Sequence, residues 1–150
     1  MEQSIFVYSI YIEATIDRLW DSLTKGEITC KYWYNRRIDS DWKIGSPVTF
    51  WLNYGQDIDM SGKVLEYKPL HRFSFSWDVG MNVESKRKIP SRVTFDFESL
   101  GSVVKCTVIH DELKTGEKIP AGVSEGWPII MCSLKSFLET GQPLSITAKF

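Results

Sequence analysis

The stretch that decides the fold is SEGWPIIMCSLKSFLETGQPL, residues Ser124–Leu144. Its apolar residues recur at the spacing that places them on one face of an α-helix turning by about 100° per residue. The apolar stripe contains Trp127, Ile130, Met131, Leu134, Phe137 and Leu138. The opposite arc contains Cys132, Ser133, Lys135, Ser136, Glu139 and Thr140, and only Ile129 breaks this division. The pattern predicts a long helix whose apolar side covers another element.

The ends of this helix are marked by particular residues. Because Trp127 belongs to the stripe, we expect the helix to begin before Pro128, with Ser124 as the N-cap. A proline in or just past the first turn removes at most one backbone hydrogen bond, and it can bend the helix there. Gly141 fits the left-handed residue that follows a helix, and Pro143 prevents continuation.

Upstream of this helix the sequence changes to alternation of apolar and polar residues. In HRFSFSW, Phe73, Phe75 and Trp77 alternate with two serines, and Val93, Phe95 and Phe97 alternate with polar residues farther along. Alternation of this kind is typical of an antiparallel sheet with one buried and one solvated face. The predicted strands are Ile5–Glu13, Pro47–Leu52, Gly62–Pro69, His71–Trp77, Ser91–Ser99 and Ser102–Leu113.

Two short helices are predicted between the first two strands. Thr15 is a suitable N-cap for the first helix, and its apolar face contains Ile16, Leu19, Trp20 and Leu23. The second covers Glu27–Tyr34 and buries Ile28 together with either Tyr32 or Trp33. Grouped strands bracketed by helices indicate an α+β fold, and we expect residues 1–150 to form one domain.

Composition excludes some classes of function. The chain has 150 residues with 18 basic and 19 acidic side chains, and its one basic cluster, Lys86–Lys88, is too short for a nucleic-acid-binding stripe. No segment approaches the run of about 20 apolar residues that a membrane-spanning helix needs. No signal peptide is recognisable either, so we expect a cytoplasmic protein. Cys30, Cys106 and Cys132 are predicted to be buried free thiols.

Four segments together resemble one known family. They are IEATIDRLWDSLT, GKVLEYKPLHRFSFSW, IHDEL and GWPIIMCSLKSFLETG, at residues Ile12–Thr24, Gly62–Trp77, Ile109–Leu113 and Gly126–Gly141. Their order resembles the Hsp90-ATPase-activator-homologue branch of the START-like superfamily, also called the Bet v 1-like or helix-grip superfamily. The resemblance implies a curved antiparallel sheet of six or seven strands that grips the C-terminal helix. It also implies two short helices that close one end, and an elongated cavity between sheet and helix.

The residues expected to line that cavity are mostly aromatic. They are Trp33, Phe50, Phe73, Phe75, Trp77, Phe95, Phe97, His110, Trp127, Met131 and Leu134. Aromatic rings suit an apolar ligand pocket, but they can equally fill a core. His110 shares a strand face with Cys106 and Val108, where it can orient a ligand, act as a general base or serve as a core histidine. Tyr8, Tyr67 and Cys106 are further candidate polar groups.

These features leave three function classes open. The first is a module that binds a small hydrophobic or aromatic ligand, as a monomer or weak homodimer. The second, implied by the resemblance, is a partner of a chaperone. The third is an enzyme like the cyclases and hydrolases of related branches, although no paired acid and base is recognisable. Zinc-ligand spacings and phosphate-binding glycine loops are absent from the sequence, so no cofactor is predicted. Glu66 and Arg72 are expected to form a surface ion pair.

Overall fold

The computed structural model describes residues 5–79, 90–113, 119 and 121–146. Lys86–Lys88 lies outside these residues. The seven strands are β1 Phe6–Ile12, β2 Arg37–Asp39, β3 Pro47–Leu52, β4 Asp57–Lys68, β5 Arg72–Val79, β6 Ser91–Ser99 and β7 Val104–Asp111. The helices are α1 Ile16–Thr24, α2 Gly26–Tyr32, α3 Ala121–Ser124 and α4 Gly126–Thr140, with a 3-10 turn at Asn53–Gly55. The α+β class is confirmed.

The strands form one antiparallel sheet in the order β1-β7-β6-β5-β4-β3-β2. The last strand therefore pairs with the first, and α1 and α2 connect β1 to β2 at the opposite edge. All six predicted strands are present. The seventh, β2, was not predicted because three residues are too few for alternation to be recognised.

Two irregularities bend the sheet, and the extra residue of each, Asp59 and Leu65, lies on β4. The pairing register shifts between Phe50 and Trp51 on β3, and again between Val64 and Glu66 on β4. Bulges of this type bend and twist the strand that carries them. Two residues before Val64, Gly62 lies so close to β5 that a Cβ atom would overlap the backbone oxygen of Ser76. The bent sheet can therefore wrap its inner face around α4.

Helix α4 begins near the predicted position, but its cap differs. Ser124 ends α3, and Glu125 occupies the N-cap position without a side-chain cap hydrogen bond. The prediction that Ser124 caps the helix is therefore wrong, because α3 occupies the residues just before α4. Pro128 is the third helical residue, where a backbone N–H has no intrahelical acceptor. Gly141 has the predicted left-handed conformation, with φ of 84°.

The apolar stripe of α4 faces the core, with one correction. Its members are buried except Phe137, which is half-buried. Ser133, assigned to the polar arc, is also buried because its Oγ donates a hydrogen bond to the backbone oxygen of Tyr32, 2.8 Å away on α2. A buried hydroxyl is stable when it has such a partner.

The short helices match their predicted places. Thr15 caps α1, since its Oγ1 accepts a hydrogen bond from the Arg18 N–H at 3.2 Å. Helix α2 ends two residues earlier than predicted, because Tyr34 and Asn35 adopt left-handed φ values of 50° and 66°. The residues before this turn, Tyr32 and Trp33, are both buried, whereas Ile28 is only half-buried.

The three cysteines are free, but they are not equally buried. Cys106 is buried in β7, while Cys30 on α2 and Cys132 on α4 are half-buried. The prediction of three buried thiols is wrong for the two helical cysteines, of which Cys132 packs against the edge of the core. None of the helices within the described ranges is long and apolar enough to cross a membrane.

Candidate functional site

Aromatic rings from four elements meet around Trp127 at the start of α4. Its indole lies 5.6 Å from the ring of Trp33, 5.3 Å from Trp77 and 5.8 Å from Phe95, each in an edge-to-face arrangement. Such arrangements are favourable because the positive edge of one ring meets the negative face of another. We call this group the Trp127 cluster; its members are Trp33, Phe50, Phe75, Trp77, Phe95, His110 and Trp127.

A second group of rings surrounds Trp20 on α1. The Trp20 indole lies 5.2 Å from both Phe73 and Phe97 and 5.5 Å from Tyr67. Phe73 also contacts Phe75 at 6.1 Å and Phe95 at 5.2 Å, so it connects this group to the Trp127 cluster. We call the group the Trp20 cluster; its members are Trp20, Trp42, Tyr67, Phe73 and Phe97.

The structure therefore separates the expected lining residues into two neighbouring sets. Phe73 and Phe97 belong to the Trp20 cluster, while the remaining predicted rings belong to the Trp127 cluster. Met131 and Leu134 are fully buried in the same core on α4. Trp77 differs from the other lining residues, because its side chain is only half-buried. Among the predicted lining residues, Trp77 is therefore the one at which the Trp127 cluster is exposed to solvent.

His110 is the polar centre of the Trp127 cluster. The Trp127 Nε1–H donates a hydrogen bond to its Nδ1 at 3.1 Å, so Nδ1 is the unprotonated nitrogen of a neutral ring. The other nitrogen, Nε2, then carries the proton and donates to Ser91 Oγ at 2.8 Å. The Ser91 hydroxyl in turn donates to the backbone oxygen of Trp77 at 3.3 Å. These contacts fix one tautomer and match the core-histidine interpretation.

A general-base role fits this geometry less well than a positioning role. His110 is 1% exposed, and its basic nitrogen faces the indole N–H of Trp127. To accept a substrate proton there, His110 would first have to lose that hydrogen bond. Asp111, the next residue, pairs instead with Arg92 on the other side of the sheet.

The other proposed polar groups lie in different surroundings. The Tyr8 hydroxyl and Cys132 Sγ are 3.5 Å apart, and this hydrogen bond, helped by burial, raises the pKa of Tyr8 to about 12. Burial also raises the pKa of the Cys106 thiol, so it stays protonated and is a poor nucleophile. Tyr67 packs in the Trp20 cluster. In the described part of the chain, no group of His, Cys, Asp and Glu is arranged to hold a metal ion.

Three residues in or beside these clusters were not predicted to line the site. Ser91 could have been found, because it shares the alternation of Val93 and Phe95 and therefore their strand face. Trp20 was assigned to a buried helix face, but its ring neighbours depend on how α1 packs on the sheet. Trp42 lies in a loop at a left-handed φ of 60°, where no periodic pattern identifies it.

Comparison with known proteins agrees with this architecture. The family model described as activator of Hsp90 ATPase homolog 1-like protein matches residues 13–139. The solution structure of the Aha1 dimer from Colwellia psychrerythraea is 22% identical, with a TM-score of 0.74, covering 92% of this chain and 98% of that one. The ChR145 structure from Cytophaga hutchinsonii is 24% identical, with a TM-score of 0.74 and coverage of 94% and 98%.

A third similar structure comes from a eukaryote. PFC0360w, an HSP90 activator from Plasmodium falciparum, is 17% identical, with a TM-score of 0.63, covering 83% of this chain and 84% of that one. At these identities the likeness concerns the fold. Among curated proteins, none matches the sequence significantly.

Proposed function

The chain belongs to the activator of Hsp90 ATPase homolog 1-like family, and on that premise we propose that it binds a small hydrophobic or aromatic ligand between its sheet and α4. The binding site is the Trp127 cluster. The observation that carries the proposal is the half-buried ring of Trp77 beside the buried His110–Ser91 pair. Ligand sites typically combine an apolar lining with a few polar groups that set orientation.

The contacts around Trp77 support an entry route. Its ring touches Phe50 at 5.8 Å, His110 at 5.7 Å and Trp127 at 5.3 Å, so a ligand that displaces Trp77 meets all three. Burying apolar ligand surface there contributes about 25 cal/mol per Å². The Ser91 hydroxyl can turn from the Trp77 backbone oxygen to a polar atom of the ligand, because it is the rotatable member of the network.

The proposal is tested by titrating the protein with the fluorescent apolar probe 1-aminoanthracene and then displacing it with a panel of aromatic compounds and fatty acids. We expect Trp77→Ala to change probe affinity by about tenfold or more, because it alters the wall of the site. Trp51→Ala is the matched control, since Trp51 is a half-buried tryptophan on β3 that is not part of either cluster. Equal affinities for the wild type and both variants would reject the Trp127 cluster as the site.

A chaperone interaction is the second candidate function. It is favoured by the family description and by the activator from Plasmodium falciparum among the similar structures. The test is to measure ATP hydrolysis by purified Hsp90 as this protein is added, with equal amounts of serum albumin as control. A concentration-dependent rise supports the interaction, whereas the same turnover with both additions contradicts it.

Weak self-association is the assembly we propose to test beside these functions. The similar structure from Colwellia psychrerythraea is of a dimer. Sedimentation velocity at increasing protein concentration distinguishes a monomer from a weak homodimer. A sedimentation coefficient that rises with concentration supports a weak homodimer, and a constant monomer value contradicts it.

A further inference from the structure

The outer face of the sheet carries a groove that is separate from the Trp127 cluster. It crosses β4, β5, β6 and β7 and has a volume of about 200 Å³. Its floor follows one cross-strand row, in which Glu66 pairs with Ser74, Ser74 with Thr94 and Thr94 with Ile109. Because neighbouring strands are about 4.8 Å apart, the row is about 14 Å long.

Two ion pairs flank this row. Arg72 Nη2 and Nε donate to the two carboxylate oxygens of Asp96 at 2.6 and 3.3 Å. Arg92 Nη2 and Nε donate to Asp111 in the same way, at 2.7 and 3.0 Å. Bidentate pairs hold a guanidinium in a fixed orientation. The groove thus has two positively charged groups that are already positioned, each next to a carboxylate.

The floor contains polar groups that the described residues leave unused. Ser74 and Thr94 line the groove and are only 5% and 7% exposed, and no hydrogen bond joins either hydroxyl to another residue that the structure describes. Neither hydroxyl oxygen is itself fully buried, so both can be reached from the groove. In the same part of the chain, Glu66 Oε1 accepts no hydrogen bond. The expected ion pair of Glu66 with Arg72 is present, but at 3.8 Å, and Lys68 lies at the same distance. A buried carboxylate oxygen that accepts no hydrogen bond, as Glu66 Oε1 is, is uncommon and needs an explanation.

We propose that this groove binds the zwitterion of an α-amino acid with an apolar side chain. The ammonium group binds Glu66, and the carboxylate accepts hydrogen bonds from Arg72 and the two floor hydroxyls. An α-amino acid carries its ammonium and carboxylate groups on the same carbon atom, and this short separation matches a carboxylate and a guanidinium 3.8 Å apart. The side chain then extends along the floor towards Ile109 and its cross-strand neighbour Val7, which is 57% exposed.

The charge and the size of the groove favour a zwitterion over a simple anion, a simple cation or a larger ligand. The charged lining residues are Glu66, Arg72, Arg92 and Asp111, so the groove has two charges of each sign. An anion alone would meet two carboxylates, and a cation alone would meet two guanidinium groups. A volume of about 200 Å³ is also below the range of about 300–1,000 Å³ that drug-sized ligands occupy, so it suits a metabolite-sized molecule.

The experiment is a titration of ¹⁵N-labelled protein, followed by two-dimensional NMR. The probes are L-leucine, L-phenylalanine and two analogues of leucine: 4-methylpentanoate, which lacks the amine, and 3-methylbutylamine, which lacks the carboxylate. For a ligand of this size we expect a Kd of about 1 mM, so each titration extends to about 10 mM. L-leucine should shift the amide signals of Ser74, Thr94 and Ile109, and each analogue should bind about tenfold more weakly, because each loses a charged hydrogen bond.

Variants then locate the site. Glu66→Gln and Thr94→Val should each weaken leucine binding, Glu66→Gln by about tenfold. Thr107→Val is the matched control, since Thr107 lies on the outer face of β7 outside the groove. The proposal is overturned if leucine and L-phenylalanine leave the groove signals unchanged, or if 4-methylpentanoate binds as tightly as leucine. It is also overturned if Thr107→Val weakens binding as much as Thr94→Val does.

Discussion

The two faces of the sheet use neighbouring residues of the same strands in opposite ways. On β6, Val93 and Phe95 are buried in the aromatic core, while Arg92 and Thr94 line the outer groove. On the inner face, the one histidine has hydrogen-bond partners at both ring nitrogens. On the outer face, the hydroxyls of Ser74 and Thr94 line the groove and have no hydrogen bond to another residue within the described ranges. The polar groups of the inner face are therefore paired within the protein, whereas those of the outer groove are only partly paired.

The largest effect should follow from emptying the centre of the inner face. Phe73 is fully buried and joins the two aromatic clusters. Phe73→Ala should lower the free energy of unfolding by about 3–5 kcal/mol, because it removes a large buried ring and leaves a cavity. Urea denaturation followed by circular dichroism measures this loss.

The control for this change is an apolar residue on the outer face. Leu65 on β4 is 45% exposed, and Leu65→Ala should alter the free energy of unfolding by only about 0.5 kcal/mol. If the two variants lose similar stability, the contrast between a packed inner face and a solvated outer face is wrong.

A smaller effect should follow from breaking the polar network inside the core. Ser91→Ala removes the hydroxyl that accepts a hydrogen bond from His110 Nε2–H, and the loss of such a buried hydrogen bond costs about 0.5–1.5 kcal/mol. Thermal unfolding of the variant measures this cost. Ser9→Ala serves as control, because the Ser9 hydroxyl bonds Thr107 in an exposed position. A Ser91 variant as stable as the Ser9 variant would show that the network does not stabilise the core.

Replacing an ion-pair partner on the outer face of the sheet should lower the stability still less. Asp96→Asn removes the charge that pairs with Arg72, whose side chain is 43% exposed. Exposed pairs contribute about 0–1 kcal/mol, and salt screens them. We therefore expect a small loss of stability at low salt that disappears at high salt. A loss of stability that persists at high salt would indicate that the outer face contributes to folding as the inner face does.

The smallest expected effect concerns Tyr8, which bonds Cys132 on α4. Its pKa is raised from 10.0 to about 12, chiefly by this hydrogen bond, so folding favours the protonated hydroxyl. The resulting stabilisation is complete below pH 10 and is lost as the pH rises towards 12. Wild type should therefore lose stability relative to Tyr8→Phe across this interval, measured by urea denaturation at several pH values. Parallel pH profiles would contradict this assignment.

Local patterns predicted much of the fold because they report on one element at a time. The stripe of α4, the Thr15 cap, the left-handed Gly141 and the alternating strands follow from spacing within a few residues. Ser124 was assigned wrongly because a second short helix precedes α4. Ser133 was placed on the polar arc because its acceptor, the Tyr32 backbone oxygen, lies 101 residues away along the chain.

The candidate sites were harder to predict because they depend on register. Alternation identified the inner-face aromatics and His110, but only packing divides them between two clusters and leaves Trp77 at the margin. The groove was missed for the same reason. Glu66, Ser74, Thr94 and Ile109 are dispersed over four strands, and only the pairing of those strands places them in one row.

The most direct test of the contrast is the stability of two adjacent substitutions on β6. We expect Thr94→Val to change the free energy of unfolding by less than about 0.5 kcal/mol, or to raise it, since the Thr94 hydroxyl has no hydrogen bond to a described residue. Phe95→Ala should lower it by about 3–5 kcal/mol. A Thr94→Val variant destabilised by about 1 kcal/mol or more would show that the Thr94 hydroxyl stabilises the fold, and it would contradict the difference between the two faces of the sheet.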